Sequence, residues 1–223
     1  MQAETLESVI KVLLVEDHPM FRERLAAIVS KRGDMRVCAE TDNVHDALRL
    51  AESLRPNIAI LDITLRGSNG LDFLKDLKAR GIDLPVLVLS MHDEAIYAQR
   101  VLRAGARGYI TKSEASSEVM VAIEQVLNGE VYLSRQMTSR MLGNFATGRK
   151  ASNAGDVSAL TDRELDVFQR IGRGETARGI AAALHVGATT VDTYRARIKE
   201  KLDLRNGAEL QRRAMEWVRE NPA

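Results

Sequence analysis

Cysteine is almost missing from this chain of 223 residues. The single Cys38 cannot close an internal disulfide, and no Cys/His cluster offers a zinc site. It lies in a strand-like run, Val37-Cys38-Ala39, and reads as core packing. Long apolar runs are missing too. The longest fall far short of the roughly 18 residues that a membrane-spanning helix needs, so no membrane association is expected. No charged-then-apolar leader opens the sequence, which makes the cytoplasm the expected compartment. Strong charge of one sign is also lacking, because the net charge is only +1. Residues 1–146 carry 18 Lys+Arg against 20 Asp+Glu, and residues 159–223 carry 12 against 10. That asymmetry is too weak to argue for nucleic acid by itself.

What the chain does contain is ordinary in bulk, 45% hydrophobic and 28% charged residues, and informative in pattern. Short apolar runs at 11–16, 36–40, 57–62, 85–90 and 108–111 alternate with helical periodicity near 19–32, 43–54, 70–80, 93–104 and 114–128. Gly33, Pro56, Gly67, Gly81, Pro85, Gly105 and Gly108 punctuate the boundaries. Five βα units in succession predict an α/β fold, a doubly wound five-stranded parallel sheet. A short helix near 134–145 follows. The stretch 147–156 has no apolar period and reads as a flexible linker. The remainder carries no strand-like alternation. Its helices, about 162–172, 176–184, 188–202 and 207–219, predict a small all-α domain compatible with helix-turn-helix. The expected domains are therefore 1–130, a linker over 131–156, and 157–223.

Open parallel sheets bind ligands outside the carboxyl ends of their strands. Here those ends carry Glu16-Asp17, Asp62, Ser90 and Lys112, so one crevice should hold three carboxylates, a hydroxyl and an ammonium group. Asp17 and Asp62 are hard oxygen ligands suited to Mg²⁺ (or Mn²⁺), and Glu16 can bind the ion directly or hold one of its waters. With the cation cancelling repulsion, Asp62 can act as a nucleophile toward phosphorus. Lys112 and Ser90 would then stabilise the phosphoryl oxygens.

These residues carry a resemblance. Val-Leu-Leu-Val-Glu-Asp-His at 12–18, Leu-Asp-Ile at 61–63, Leu-Ser-Met-His at 89–92 and Gly-Tyr-Ile-Thr-Lys at 108–112 resemble a two-component response-regulator receiver domain, flavodoxin-like in fold, over about 10–130. The resemblance implies that Asp62 is the phospho-acceptor and that the Thr64 carbonyl joins Glu16 and Asp17 around the metal. It also implies that Ser90 and Tyr109 form a switch pair, Tyr109 rotating inward on phosphorylation. Two departures stand out. Arg66-Gly67 replaces a frequent Pro-Gly, which predicts a more mobile loop, and Ser113 replaces a frequent Pro after Lys112, which relaxes the expected peptide geometry.

Residues 160–210 resemble the LuxR-type helix-turn-helix of NarL/FixJ-class regulators through Leu-Thr-Asp-Arg-Glu-Leu at 160–165, Ile-Ala-Ala-Ala-Leu at 180–184, Thr-Val-Asp-Thr-Tyr-Arg at 190–195 and Ile-Lys-Glu-Lys-Leu at 198–202. On helix 188–202, Val191, Tyr194, Ile198 and Leu202 share a core-facing stripe. Thr189, Thr190, Thr193 and Arg197 become candidates for base or phosphate contact. Lys199, Lys201 and Arg205 are candidate phosphate contacts. Asp192 and Glu200 oppose phosphate, so half-site affinity should be modest and salt-sensitive, and a homodimer is expected on DNA. Thr176 keeps a helix cap, but Gly179 stands where a capping-box acid is usual and Gly187 where a Ser cap is usual, which predicts a thermally softer second domain.

The resulting expectation is a phosphorylation-activated transcriptional regulator. Its partners would be a sensor histidine kinase and double-stranded promoter DNA, with RNA polymerase as a further candidate. It would have no catalysis beyond self-phosphorylation and slow autodephosphorylation. Three alternative functions fit these residues less well. A phosphatase of the haloacid dehalogenase kind needs an acid two residues after Asp62, where Thr64 stands. A nucleotide-binding fold needs a glycine-rich loop after the first strand, where Glu16-Asp17-His18-Pro19 stands. A phosphate-independent DNA-binding protein would leave the complete acceptor set without a use.

Overall fold

The computed structural model describes residues 9–65, 68–91, 94–146, 157–184 and 186–220, and divides into two compact units, 1–137 and 138–223. In the first, five parallel strands form one sheet: β1 (Ile10–Val15), β2 (Met35–Thr41), β3 (Ile58–Asp62), β6 (Val86–Ser90) and β7 (Gly108–Thr111), in the order β2-β1-β3-β6-β7. Strands β3 and β6 are buried along their whole length. Their near-continuous apolar sequences follow from that, since helices cover both faces of a parallel sheet.

The period of two decides which helix each residue meets. Val12, Leu14, Ile58, Ile60, Leu87, Leu89 and Ile110 pack with Leu25 and Val29 of α1 (Pro19–Ser30) and with Val119, Ile123 and Val126 of α5 (Ala115–Leu127). The other face takes α2 (Val44–Leu54), α3 (Gly70–Ala79) and α4 (Glu94–Ala104). Two asparagines fix helix starts, Asn43 accepting from the Asp46 amide and Asn69 from the Leu71 amide. Arg55, left-handed at φ 46°, ends α2 just before Pro56.

A short antiparallel pair, β4 (Thr64–Leu65) with β5 (Ser68–Asn69), follows β3 and was not anticipated from sequence. The expectations for Arg66-Gly67 and for the linker 147–156 lie outside the described residues. Gly70 is required here by space. A Cβ on it would stand 2.6 Å from the Asp62 carbonyl oxygen, so only glycine lets α3 start against the end of β3.

The free edge of β7 is covered. Tyr109 donates its amide to the Tyr132 carbonyl, and the Tyr132 amide donates to Arg107. The Tyr132 hydroxyl donates to Glu118, and Glu94 at the start of α4 accepts from the Ser134 amide and pairs with its hydroxyl. Helix α6 (Arg135–Ala146) follows, where the sequence suggested a short helix.

The second unit is helical: a 3₁₀ turn (Val157–Ala159), α7 (Asp162–Gly172), α8 (Ala177–Ala183), α9 (Ala188–Lys201) and α10 (Gly207–Glu220). Thr161 and Glu164 form the expected reciprocal capping box. Phe168 meets Trp217 edge-on at 6.0 Å in a core that includes Leu165, Ile180, Val191, Ile198 and Leu210. Helices α7 and α10 approach closely because Gly172 carries no Cβ, whose place lies 2.4 Å from the Ala214 carbonyl oxygen.

Candidate functional site

The strand order puts β1 beside β3, so the chain reverses its winding between them, and ligands of such sheets bind at that switch point. The carboxyl ends of these two strands deliver Glu16, Asp17 and Asp62 to one place, and β7 delivers Lys112. All four are buried, Asp62 to 2% exposure. Lys112 Nζ stands 2.7 Å from Asp62 Oδ2 and 2.8 Å from Glu16 Oε2. The second Asp62 oxygen, Oδ1, accepts from the Thr64 amide at 3.0 Å. Ser90 is fully buried at the end of β6, and its carbonyl accepts from the Lys112 amide at 2.8 Å. The strand register thus fixes the Lys112 amide beside the end of β6.

Three carboxylates against one ammonium leave this buried cluster formally at −2. Burial pushes the Asp62 carboxyl up to about 6, and repulsion from Glu16 adds to it, while Lys112 and the Thr64 amide offset part of the rise. Burial works against the Lys112 ammonium, but Asp62 and Glu16 outweigh it and hold the group above its ordinary value. A buried excess of two negative charges, carried on hard oxygens, is the donor set a small dication requires.

Side chains without an expected role complete the site. His18 Nδ1 lies 2.8 Å from Asp17 Oδ1, 3.0 Å from Glu16 Oε1 and 3.9 Å from Asp62 Oδ2. Arg22 Nη1 donates to the Glu16 carbonyl at 2.7 Å, and its Nε donates to Glu40 at 3.2 Å, which pins the turn after β1. The Phe21 ring lies 4.8 Å below Lys112 Nζ. Arg22 and Phe21 sit one turn into α1, so only the helix geometry aims them back, and no local pattern announces them. Tyr109 is fully buried within β7.

In the second unit, Val191, Ile198 and Leu202 face the core and Tyr194 is half-buried, as the periodicity predicts. Thr189, Thr190, Thr193, Arg197 and Arg205 are exposed, and Lys199 is half-exposed. Two expected contacts are already engaged. Thr193 donates its hydroxyl back to the Thr189 carbonyl at 3.0 Å, and Lys201 Nζ donates to the buried Glu164 carboxylate at 2.6 Å. Arg195, not singled out from sequence, lies 3.7 Å from Asp192.

Comparison with known proteins agrees with both halves. Residues 12–124 match the response regulator receiver domain, and residues 158–214 match the bacterial regulatory proteins of the luxR family. Among similar chains, the virulence-factors transcription regulator BvgA of Bordetella pertussis is 34% identical over 90% of this chain and 94% of its own. The nitrate/nitrite response regulator NarL of Escherichia coli is 30% identical over 93% and 94%. In fold, the chain resembles RcsB from Salmonella enterica bound to a promoter, with a TM-score of 0.67 at 19% identity over 92% of this chain and 98% of that one. A receiver sheet carrying a buried carboxylate cluster, followed by a luxR-type helical domain, makes this chain a member of the NarL/FixJ-type two-component response regulators, a family of transcriptional regulators.

Proposed function

We propose that DNA binding by this chain is switched by phosphorylation of Asp62. The observation that carries the reading is the bracketing of buried Asp62: Lys112 Nζ at 2.7 Å on one oxygen and the Thr64 amide at 3.0 Å on the other, beside two further buried acids. An Asp62 oxygen attacks the phosphorus of a phosphohistidine on a sensor kinase, the P–N bond breaks, and the imidazole leaves. Lys112 moves from carboxylate to phosphoryl oxygen, and Ser90 donates to another. Asp17, Asp62 and the Thr64 carbonyl, with Glu16 beside them, are suited to hold Mg²⁺ or Mn²⁺, which would offset repulsion between carboxylate and phosphoryl oxygens. Thr64 offers no acid for rapid turnover, so the phosphoryl group returns to water slowly.

Residues 1–130 act as the receiver, 131–156 as the connection and 157–223 as the DNA-binding domain. The phosphoryl group brings charge near −2 to the ends of β3, β6 and β7. Movement of Ser90 and Tyr109 then favours a homodimer, which places two copies of α9 on successive half-sites of promoter DNA. Thr189, Thr190 and Arg197 supply base contacts, while Lys199 and Arg205 position the helix on phosphates. RNA polymerase is a further partner of such a complex, and the work is done in the cytoplasm.

Enrichment of genomic DNA fragments on the purified protein tests the reading, with and without Mg²⁺ and acetyl phosphate, beside Asp62→Ala. The expected result is specific fragments retained by phosphorylated wild type alone. Equal retention in all three samples would make the switch dispensable and leave a phosphate-independent regulator.

A further inference from the structure

Helix α6 is weakly supported by its own sequence. It is 12 residues long and carries Thr138, Ser139, Gly143 and Asn144 in its interior, and a helix of that length is marginal unless something starts it or packs on it. Ser134 stands at its N-cap and accepts from the Met137 amide at 3.1 Å, the bond that a serine makes in a capping box. The other half of such a box is a Glu or Gln three residues after the cap, reaching back to the cap amide. Met137 occupies that position, buried and without an oxygen to offer. The missing carboxylate comes instead from 40 residues earlier in the chain. Glu94 Oε1 accepts from the Ser134 amide at 2.8 Å, and Oε2 pairs with the Ser134 hydroxyl.

The strap that carries Ser134 has a second anchor. Tyr132 accepts from the Tyr109 amide and donates to the Arg107 carbonyl, both at 3.0 Å. Gly108 permits this approach, because a Cβ there would stand 3.1 Å from the Tyr132 Cβ and 3.2 Å from its carbonyl oxygen. Glu94 opens α4 four residues after Ser90, and Tyr109 lies in β7 three residues before Lys112. Both anchors therefore belong to the segments whose ends carry Ser90 and Lys112. We infer that Glu94 is a positioning residue for α6: it completes the helix's capping box from α4 and releases it when phosphorylation moves Ser90 and Lys112. The inference rests on the reading of Asp62 as the phospho-acceptor. Helix α6 is then a conditional helix at the head of the connection to the second unit, and its first turn frays when its cap amide and hydroxyl lose their partner.

Hydrogen-exchange mass spectrometry of the full chain tests the inference, reading amides 137–141 at the start of α6 against amides 119–123 inside α5. The samples are wild type, Glu94→Ala, Glu94→Gln and Ser134→Ala, each with and without Mg²⁺ and acetyl phosphate. Intact mass, beside Asp62→Ala, reports the phosphoryl group on Asp62. Without acetyl phosphate, Glu94→Ala and Ser134→Ala should exchange faster at 137–141 by roughly fivefold, the scale of a lost cap. Glu94→Gln keeps an acceptor oxygen and should stay near wild type, and amides 119–123 should not differ among the variants. Wild type that has gained the phosphoryl group should match Glu94→Ala, to which phosphorylation should add nothing further. Wild-type exchange in Glu94→Ala, or exchange in Glu94→Gln as fast as in Glu94→Ala, would overturn the capping role. Unchanged exchange in wild type that carries the phosphoryl group would overturn the coupling and leave Asp62 standing as acceptor. Failure of wild type to gain the group would overturn the acceptor reading and the coupling together, with the cap decided by the variants alone.

Discussion

A carboxylate buried beside other carboxylates costs stability whenever it is charged, and Asp62 is buried beside Glu16 and Asp17. Its folded pKa of about 6 lies above the ordinary 3.8, so the folded state holds the proton more tightly than the unfolded one. The stability linked to that proton is complete below the unfolded value and is lost as pH rises through the folded one, between about 4 and 6. Asp62→Asn removes the charge and keeps the shape. In metal-free buffer it should raise unfolding stability by about 1–3 kcal/mol at pH 7.5 and by almost nothing at pH 4, two pKa units being worth about 2.7 kcal/mol. Urea unfolding of both proteins across that pH range measures it. A difference independent of pH would show that the strain lies elsewhere. The acids and Lys112 were legible in the sequence, because each closes an apolar run. His18 was visible only as part of a motif, since its partners are set by the turn into α1.

At the scale of elements, the start of each helix shows how far local rules reach. The α7 capping box is present with both reciprocal bonds, and Lys201 from α9 adds a third partner to Glu164. Helix α8 has half of that arrangement: Thr176 accepts from the Gly179 amide at 3.2 Å, but Gly179 has nothing to return. A Cβ there would meet only the Thr176 hydroxyl oxygen, at 3.4 Å, so a side chain fits. Gly179→Glu should therefore raise the unfolding midpoint of the second domain, by about 1 kcal/mol from removal of a helical glycine and completion of the box. Two-transition thermal unfolding, in which this domain is expected to melt first, gives the number. No gain, or melting after the receiver, would contradict the softness expected from its caps. Sequence pattern placed these helices to within a few residues, because capping and apolar period are local. The β4–β5 pair escaped it, since two-residue strands carry too little pattern.

On the scale of the whole molecule, function requires that the chemistry of one unit alter the DNA affinity of the other. That work calls for modest half-site binding, because a domain that held DNA tightly alone would need no partner copy. Asp192 and Glu200 on α9 and the engagement of Lys201 with Glu164 all lower the charge available to phosphates. Replacing Arg197 by Ala should relax base preference at one position of each half-site and cost about 1–3 kcal/mol. Replacing Arg205 by Ala should weaken all sequences alike and reduce the salt slope by about one. Fluorescence-anisotropy titrations on matched and mismatched duplexes at several salt concentrations separate the two, and identical profiles would mean that neither arginine reads bases. The sequence by itself determined the sheet, the helical second domain and the gathering of Glu16, Asp17, Asp62 and Lys112 at the strand ends, since apolar period and strand-end residues follow the chain in order. Only the tertiary structure decided that Arg22 pins the Glu16 turn, that Gly70 lets α3 touch Asp62, and that Lys201 belongs to Glu164. Those contacts join residues whose separation along the chain says nothing about their distance in space.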